Sequence, residues 1–314
     1  VHPRMVRRIL VTGANKGIGL AIVRRCMLDH SDTHCILACR SIQRGEAAVA
    51  SLLSEDPAWK ERLTVLEMDT ASDASVAAAA ATLTIQLGAS SNLLYGYVNN
   101  AGIAAGTLAE ILNVNVRGPR RVDCHFLRLL DPDAGRVVQM ASGVATFCVS
   151  KCSDERKAFL THPHGQDWAS LDSLIEEVLA YPNGAKDLAP NGFGPAGYGY
   201  GLSKALLNAY TLGLARQHPN LKINSCSPGL IATDLFGDFI AEPFASWGGR
   251  AVSKILARWL AGALTPDEGT VSAMYLLFSE ELETLPSGRY YGSDAKRSPL
   301  DVYRKAGSPP YKGP

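Results

Sequence analysis

The sequence predicts an α/β fold in which helices cover both faces of a doubly wound parallel sheet. Short, wholly apolar runs alternate with longer helical patterns through the first half of the 314-residue chain. Such runs are typical of parallel strands buried on both faces, and parallel strands need helical crossovers between them. Right-handed crossovers bring the carboxyl ends of the strands to one edge of the sheet, where ligands bind.

The first half of the chain supplies five predicted strands and four predicted helices. The strands are the apolar runs at residues 9–11, 35–38, 63–66, 93–98 and 136–140. The helices lie between them, at residues 17–30, 43–54, 73–87 and 108–130. This regular alternation of the two patterns predicts a single sheet.

The alternation of strand and helix patterns stops at about residues 143–197. This segment contains one predicted helix at 170–180 and ends in a Gly/Pro-rich stretch. The apolar content here is too low for a separate core, so we interpret the segment as an insertion within a single domain spanning residues 1–314. The α/β pattern then resumes, with predicted elements at 199–217 (helix), 222–226 (strand), 247–261 and 266–277 (helices). The proline-containing tail, about residues 293–314, is predicted to be irregular.

The composition excludes several classes of protein. A formal net charge of +1 gives no reason to expect a nucleic-acid or acidic-membrane partner, and no run of 18 apolar residues could cross a membrane. Seven scattered cysteines are an odd number and form no disulfide framework, so we expect reduced thiols and a cytoplasmic location. The C-x-x-x-C pairs 35/39 and 148/152 have no matching His or Cys cluster, and no metal is predicted.

A glycine-rich turn follows the first strand and opens the first helix. Residues 12–19 read Thr-Gly-Ala-Asn-Lys-Gly-Ile-Gly, a G-x-x-x-G-x-G spacing. Glycines let the backbone approach a phosphate closely, and the N-terminus of a helix favours negative charge. The turn therefore predicts a dinucleotide site, with a ligand-free glycine turn as the alternative.

The end of the second predicted strand indicates which dinucleotide is bound. An NAD site usually carries an Asp or Glu there for the ribose 2′-hydroxyl. This chain has Arg40 instead, and Lys16 adds a second cation. Because an arginine pairs with a 2′-phosphate and no carboxylate repels it, we expect NADP(H). The alternative interpretation of Arg40 is a solvated arginine at the start of a helix.

Tyr200 and Lys204 are the candidate proton-transfer pair. Positions i and i+4 share one face of a helix, so both side chains should point the same way. A nearby cation favours the phenolate and should lower the tyrosine pKa from its usual value near 10. Tyr198 is a second phenol, but the residue four positions after it is Leu202, which gives it no cationic partner.

Taken together, these motifs resemble the short-chain dehydrogenase/reductase family, whose fold is the Rossmann type. The turn at 12–19 is similar to its T-G-x-x-x-G-x-G, and residues 99–102 match its N-N-A-G. Asn115 begins a segment like its N-x-x-G, and Ser142 lies where its catalytic serine falls. Residues 227–229 with Thr233 and Asp234 look like the P-G loop beside the nicotinamide.

The resemblance implies roles for particular residues. Tyr200 would protonate the developing alkoxide, Ser142 would polarise the carbonyl, Lys204 would hold the ribose and lower the Tyr200 pKa, and Asn115 would anchor a water relay. The catalytic residues implied are Asn115, Ser142, Tyr200 and Lys204. The cofactor-binding residues implied are Gly13, Asn15, Lys16, Gly17, Ile18, Gly19, Arg40, Asp69, Thr70, Asn100, Ala101, Gly102, Pro228, Gly229 and Thr233.

Within the family, the likeness is to monomeric NADPH-dependent carbonyl reductases and to plant menthone and salutaridine reductases. In those relatives, an insertion before the tyrosine covers the surface that other members use to form tetramers, so the resemblance implies a monomer. Here 57 residues separate Ser142 from Tyr200. Only twelve lie between Gly102 and Asn115, which leaves Asn113 as a rival for the asparagine role or makes the cleft more open.

The predicted function is NADPH-dependent reduction of a ketone, aldehyde or quinone, with a small-molecule substrate. One alternative is a specialised terpenoid or alkaloid alcohol dehydrogenase, and another is a catalytically silent NADP(H)-binding sensor. Cys226 is interpreted as a buried strand thiol, and His162 and His164 as surface residues. Six apolar residues are candidates either for the substrate pocket or for the core: Phe147, Trp168, Phe193, Leu230, Phe236 and Trp247.

Overall fold

Seven strands form one parallel sheet in the order β3-β2-β1-β4-β5-β6-β7. The computed structural model describes residues 6–88, 93–195, 197–231 and 263–313. The strands are β1 (Arg7–Thr12), β2 (Thr33–Cys39), β3 (Leu63–Glu67), β4 (Gly96–Asn99), β5 (Arg136–Met140), β6 (Lys222–Cys226) and β7 (Tyr290–Tyr291). The order reverses between β1 and β4, which creates the crevice where α/β folds bind ligands.

Helices alternate with these strands, as the sequence predicts. The helices of the first half are α1 (Gly17–Asp29), α2 (Ile42–Glu55), α3 (Asp73–Leu87), α4 (Leu108–Leu112) and α5 (Gly118–Phe126). Those of the second half are α6 (Gly143–Ser150), α7 (Asp154–Leu160), α8 (Trp168–Leu179), α9 (Gly199–Gln217) and α10 (Val271–Phe278). The predicted helix at 247–261 lies outside the described residues.

The sheet separates two apolar cores. One lies between the sheet and helices α3, α5 and α9, and the other lies between the sheet and helices α1, α2 and α10. The strands are almost wholly buried on both sides, which explains the apolar runs within β1, β2, β4 and β5. The doubly wound fold is therefore confirmed.

The helix predicted at 108–130 is interrupted. Between α4 and α5, residues Asn113–Arg117 form a π-helical turn, in which the Gly118 amide donates to the Asn113 carbonyl five residues earlier. A π-turn inserts an extra residue and changes which side chains face the core. Residues Leu127–Leu129 then end the segment as a 3₁₀ turn.

The insertion is more helical than predicted, because α6 and α7 precede α8. It packs directly on α9, where the Gln166 amide donates to the Ala209 carbonyl over 3.3 Å. A Cβ added at Gly213 would lie only 2.0 Å from the Gln166 carbonyl oxygen, so the two backbones are in contact. The insertion therefore covers one face of α9, of whose nineteen residues sixteen are buried.

The tail after β7 contains no helix or strand through residue 313. It is nevertheless held by side chains, chiefly those of Asp294 and Arg304.

Candidate active site

One cleft, with a volume of about 630 Å³, lies at the carboxyl ends of the strands beside β1 and β4. It extends from the glycine-rich turn to Tyr200 and Lys204 on α9. Twelve of the fifteen predicted cofactor residues line it: Gly13, Asn15, Lys16, Gly17, Ile18, Arg40, Asp69, Thr70, Asn100, Ala101, Gly102 and Pro228. The fold thus brings residues from distant parts of the chain to one place.

The turn between β1 and α1 needs two of its glycines for their backbone conformation. Gly13 and Gly17 have φ angles of +65° and +59°, in the left-handed region that side chains disfavour. Lys16 precedes the helix, but its side chain makes no capping hydrogen bond, and the first turn of α1 contains no acidic residue. The amides at this helix end are therefore suited to a phosphate.

Gly19 acts by packing and does not line the cleft. A Cβ at Gly19 would lie 2.6 Å from Asn100 Nδ2, which leaves no room for a side chain. Asn100 in turn donates through Nδ2 to the Thr12 carbonyl at 2.9 Å. The Thr12 hydroxyl accepts from the amides of Asn100 and Ala101, both at 2.9 Å. These contacts lock the N-N-A-G segment to the glycine turn.

Two arginines flank the cleft beyond the end of β2. Arg40 is exposed and follows the strand directly, while Arg44 comes from the first turn of α2. Ser41 begins that helix by accepting a hydrogen bond from the Arg44 amide. Sequence reasoning missed Arg44, which lies in the first turn of α2 and lines the same cleft as Arg40.

Asp69 and Thr70 form the facing wall, just after β3. The Asp69 carboxylate accepts from the Ala71 amide at 3.0 Å, and the Asp69 amide donates to Ser75 Oγ at 2.9 Å. This turn directs the backbone toward the cleft. The other lining residues that sequence reasoning missed are mostly apolar or small: Cys39, Ser41, Met68, Ile103, Ala105, Val114, Met140, Ala141 and Pro266.

Tyr200 and Lys204 line the cleft, and Ser142 directly follows the lining residue Ala141. Tyr200 is hydrogen-bonded to Ser142, whose side chain also caps α6 by accepting from the Val144 amide at 3.3 Å. Lys204 Nζ lies 5.8 Å from the centre of the Tyr200 ring and donates to the Met140 carbonyl at 2.8 Å. The i, i+4 spacing therefore does place both groups on the cleft side of α9.

The predicted lowering of the Tyr200 pKa is wrong for this structure. Burial raises the pKa of Tyr200 to about 12, and the hydrogen bond from Ser142 opposes that rise only in part. Burial also lowers the pKa of Lys204 to about 8, because the ammonium is desolvated as well. Desolvation is the largest influence on the phenol, and a phenol with this pKa is protonated at neutral pH.

Asn115 is the asparagine that lies beside Tyr200 and Lys204. It is fully buried within the π-helical turn, and its Nδ2 donates to the Ile103 carbonyl at 2.8 Å and to Ser203 Oγ at 3.0 Å. Ser203 Oγ donates in turn to the Tyr200 carbonyl at 2.7 Å. A Cβ built on Gly102 would lie 3.1 Å from Asn115 Oδ1 and 3.5 Å from Lys204 Nζ, so both groups border the same glycine.

The rival Asn113 faces elsewhere. Its Nδ2 contacts the Ala71 carbonyl at 3.4 Å and its Oδ1 accepts from Arg121 at 2.7 Å. The geometry therefore favours Asn115. The short loop that raised the question leads into α4 through a reciprocal capping arrangement of Thr107 and Glu110.

Several remaining sequence expectations can be compared with the structure. Cys226 is a fully buried strand thiol, and His162 and His164 are exposed, as expected. Tyr198 packs edge-on against Phe147, with ring centres 5.8 Å apart, and does not line the cleft. Gly229 lies outside the cleft lining and meets Ser293, while Thr233 and Asp234 lie outside the described residues.

The six apolar pocket candidates separate into different environments. Phe193 is fully buried and Trp168 packs against the core and Tyr210, so these two are core residues and not pocket residues. Phe147 and Leu230 are 44% and 41% exposed. Phe236 and Trp247 lie outside the described residues.

Neither a metal centre nor a membrane span was found in the part of the chain that the structure describes. No group of three or more His, Cys, Asp or Glu side chains there is arranged to hold a metal ion. No described helix has the length and apolar character needed to cross a bilayer.

Comparisons with known proteins agree with this fold. Residues 7–153 match the model of the short chain dehydrogenase family. The chain is 31% identical to carbonyl reductase (NADPH) 1 of Homo sapiens, over 73% of this chain and 83% of the relative. It is 27% identical to (+)-neomenthol dehydrogenase of Arabidopsis thaliana, over 91% of this chain and 95% of the relative. Salutaridine reductase of Papaver somniferum has a similar structure, with a TM-score of 0.71, 23% identity and coverage of 91% and 99%.

The chain therefore belongs to the short-chain dehydrogenase/reductase family. It is an oxidoreductase of the kind that uses a nicotinamide cofactor, and its similarity extends to carbonyl and terpenoid reductases.

Proposed function

We propose that the protein reduces a ketone, aldehyde or quinone to the alcohol with NADPH, and that Tyr200 donates the proton. The observation that carries this proposal is that Tyr200 and Lys204 line the same cleft as the glycine-rich turn, while Ser142 is hydrogen-bonded to Tyr200. The cofactor supplies the hydride when it is bound. The residues of the chain bind and orient the cofactor and the substrate, and they protonate the reduced substrate.

The proton donor is suited to the reductive direction. A carbonyl that accepts hydride becomes an alkoxide, which is far more basic than a phenolate and therefore takes the hydroxyl proton of a phenol readily. Tyr200, with its pKa raised to about 12, holds its proton at neutral pH. Ser142, already hydrogen-bonded to Tyr200, orients and polarises the carbonyl oxygen. Lys204 binds ribose hydroxyls at the same edge of the cleft.

Asn115 and the segment it holds complete the proposed proton path. Asn115 fixes the backbone at Ile103 and contacts Ser203, which contacts the Tyr200 carbonyl. It also borders Gly102 together with Lys204. We propose that a water held here connects Lys204 to solvent and replenishes the proton of Tyr200.

The residues of the cleft fit a cofactor that carries a 2′-phosphate. Arg40 follows β2, where NAD-binding sites place a carboxylate, and Arg44 lines the same cleft. Lys16 and the uncapped N-terminus of α1 add positive potential for the phosphates. The name of the human carbonyl reductase also specifies NADPH.

The cofactor proposal is tested by reversing the charge of Arg40. Arg40→Asp is expected to raise the KM for NADPH at least about 10-fold and to leave the KM for NADH nearly unchanged, because only NADPH carries the phosphate. Arg128→Asp, an exposed arginine outside the cleft, is the matched control. An equal effect of Arg40→Asp on both cofactors would refute the role of Arg40.

A narrower activity is the second candidate. The neomenthol dehydrogenase relative matches over 91% of this chain, which supports a specialised terpenoid or alkaloid alcohol dehydrogenase. A panel of ketones and quinones separates the two proposals, since a broad carbonyl reductase reduces many members and a specialised enzyme reduces one chemical group.

We further propose that the protein is a cytoplasmic monomer with one domain. The insertion covers a face of α9 through the close contact of Gln166 with Gly213, and that face is then not available to another subunit. All seven cysteines are free thiols, which supports a reducing compartment. Light scattering after size-exclusion chromatography is expected to give one chain mass, and a dimer or tetramer mass would refute the monomer.

A further inference from the structure

A tyrosine from the tail lies beside the proposed active site. A Cβ built on Gly143 would lie 3.0 Å from Cε2 of Tyr303, so the aromatic ring rests against this glycine. Gly143 directly follows Ser142, and its amide donates to Ser227 Oγ at 3.0 Å. The ring of Tyr303 is thus one residue away from the serine that is hydrogen-bonded to Tyr200.

The tail is fixed in this place by a buried ion pair. Arg304, next to Tyr303 and only 7% exposed, donates to both carboxylate oxygens of Asp294. The same guanidinium donates to Ser298 Oγ at 2.9 Å and to the Ser308 carbonyl at 2.8 Å. Charge-assisted hydrogen bonds of this kind hold a backbone in one geometry, which explains how a tail without helix or strand positions a ring.

Helix α6, which begins at Gly143, carries a second exposed aromatic residue. Phe147 lies one turn after Gly143 on α6, so the two positions share a face. Phe147 is 44% exposed and Tyr303 is 64% exposed. Tyr198 supports Phe147 from behind by an edge contact. Two rings therefore stand exposed on the face of the helix that Ser142 caps.

We propose that Tyr303 is a specificity-determining residue, and that with Phe147 it forms an aromatic wall for substrates whose carbonyl is attached to an aromatic ring. This inference rests on the proposed carbonyl reduction. The wall adjoins the proposed catalytic serine, because Tyr303 contacts Gly143, the residue that directly follows Ser142. Aromatic pairs contribute about 0.5–1.5 kcal/mol beyond the burial of their area, which corresponds to about 2- to 12-fold in affinity.

The test compares an aryl methyl ketone with an alkyl methyl ketone of equal carbon number, both reduced with NADPH. Tyr303→Ala is expected to raise the KM for the aryl ketone about 3- to 10-fold and to leave the alkyl ketone KM and the NADPH dissociation constant unchanged. Tyr303→Phe is expected to retain the aryl preference, because the ring and not the hydroxyl forms the wall. Val302→Ala, an exposed neighbour, is the matched control.

The outcomes distinguish this inference from the proposed function. Suppose that the wild-type enzyme is active, but that Tyr303→Ala leaves the KM for the aryl ketone unchanged or changes the KM of both ketones equally. This result refutes the wall and leaves the proposed function intact. A wild-type enzyme that reduces neither ketone nor any carbonyl of the panel refutes the proposed function, and the wall with it. Selective loss of the aryl ketone in Tyr303→Ala, with Tyr303→Phe and Val302→Ala unaffected, supports the wall.

Discussion

Asp123 gives the stability of the fold a pH dependence that can be worked out from its surroundings. This carboxylate on α5 is fully buried and accepts hydrogen bonds from Tyr97 at 2.7 Å, Asn99 at 3.0 Å and Gln139 at 3.0 Å. Burial raises its pKa from 3.8 to about 6, although these hydrogen bonds oppose the rise. The network ties α5 to β4 and β5, behind the π-helical turn that contains Asn115.

The direction and the size of the pH effect on stability follow from the pKa values of Asp123 in the folded and unfolded protein. The folded protein keeps the proton of Asp123 up to about pH 6, while the unfolded chain releases it near 3.8. The stabilisation is therefore complete below the unfolded value and is lost as the pH rises through the folded value. At about 1.4 kcal/mol per pKa unit, the total is about 3 kcal/mol, of which about 2 kcal/mol falls between about pH 4.5 and about pH 7.

Urea unfolding across this pH range measures the effect, with Asp123→Asn as the variant that cannot titrate. The amides of Asn99 and Gln139 each have an oxygen without a hydrogen-bond partner, so their reorientation would satisfy the new amide group. The unfolding free energy of wild type minus that of Asp123→Asn is expected to fall by about 2 kcal/mol between about pH 4.5 and about pH 7. Exposed Asp133→Asn serves as the control. A difference that stays constant, or that grows with pH, would refute the reasoning.

Three further predictions concern the cleft itself. Gly19→Ala is expected to destabilise the fold by about 1–3 kcal/mol in urea unfolding, because its methyl group would lie 2.6 Å from Asn100 Nδ2; an unchanged midpoint would contradict this. Since burial lowers the pKa of Lys204 to about 8, kcat/KM should decline above about pH 8, and a profile that stays flat to about pH 10 would show that the cation is not needed. Asn115→Ala should reduce turnover about 10-fold or more, whereas Asn113→Ala should retain it; the reverse result would assign the role to Asn113.

The apolar patterns predicted the sheet because burial dictates them. Strands β5 and β6 and helix α9 begin and end where the sequence placed them, and each is almost wholly buried. Ser142 was predicted as a catalytic residue, but its second role as the cap of α6 was missed, and with it the helix.

The features that the sequence did not predict depend on contacts between residues far apart in the chain and on burial. A local sequence pattern records neither. The π-helical turn at Asn115 follows from hydrogen bonds to Ile103 and Ser203, the latter 88 positions away. The raised pKa of Tyr200 depends on its burial, and a sequence gives only its spacing from Lys204. The contact of Tyr303 with Gly143 joins positions 160 residues apart in sequence and is carried by no motif.

The most direct test of the proposed function is the pair of variants Tyr200→Phe and Tyr198→Phe. Each variant removes one hydroxyl group from one of two nearby tyrosines, but only Tyr200 lines the cleft together with Lys204 and is hydrogen-bonded to Ser142. We predict that Tyr200→Phe lowers kcat by at least about 100-fold while binding NADPH with nearly wild-type affinity, and that Tyr198→Phe keeps its turnover. Full activity of Tyr200→Phe would contradict the assignment of the proton donor.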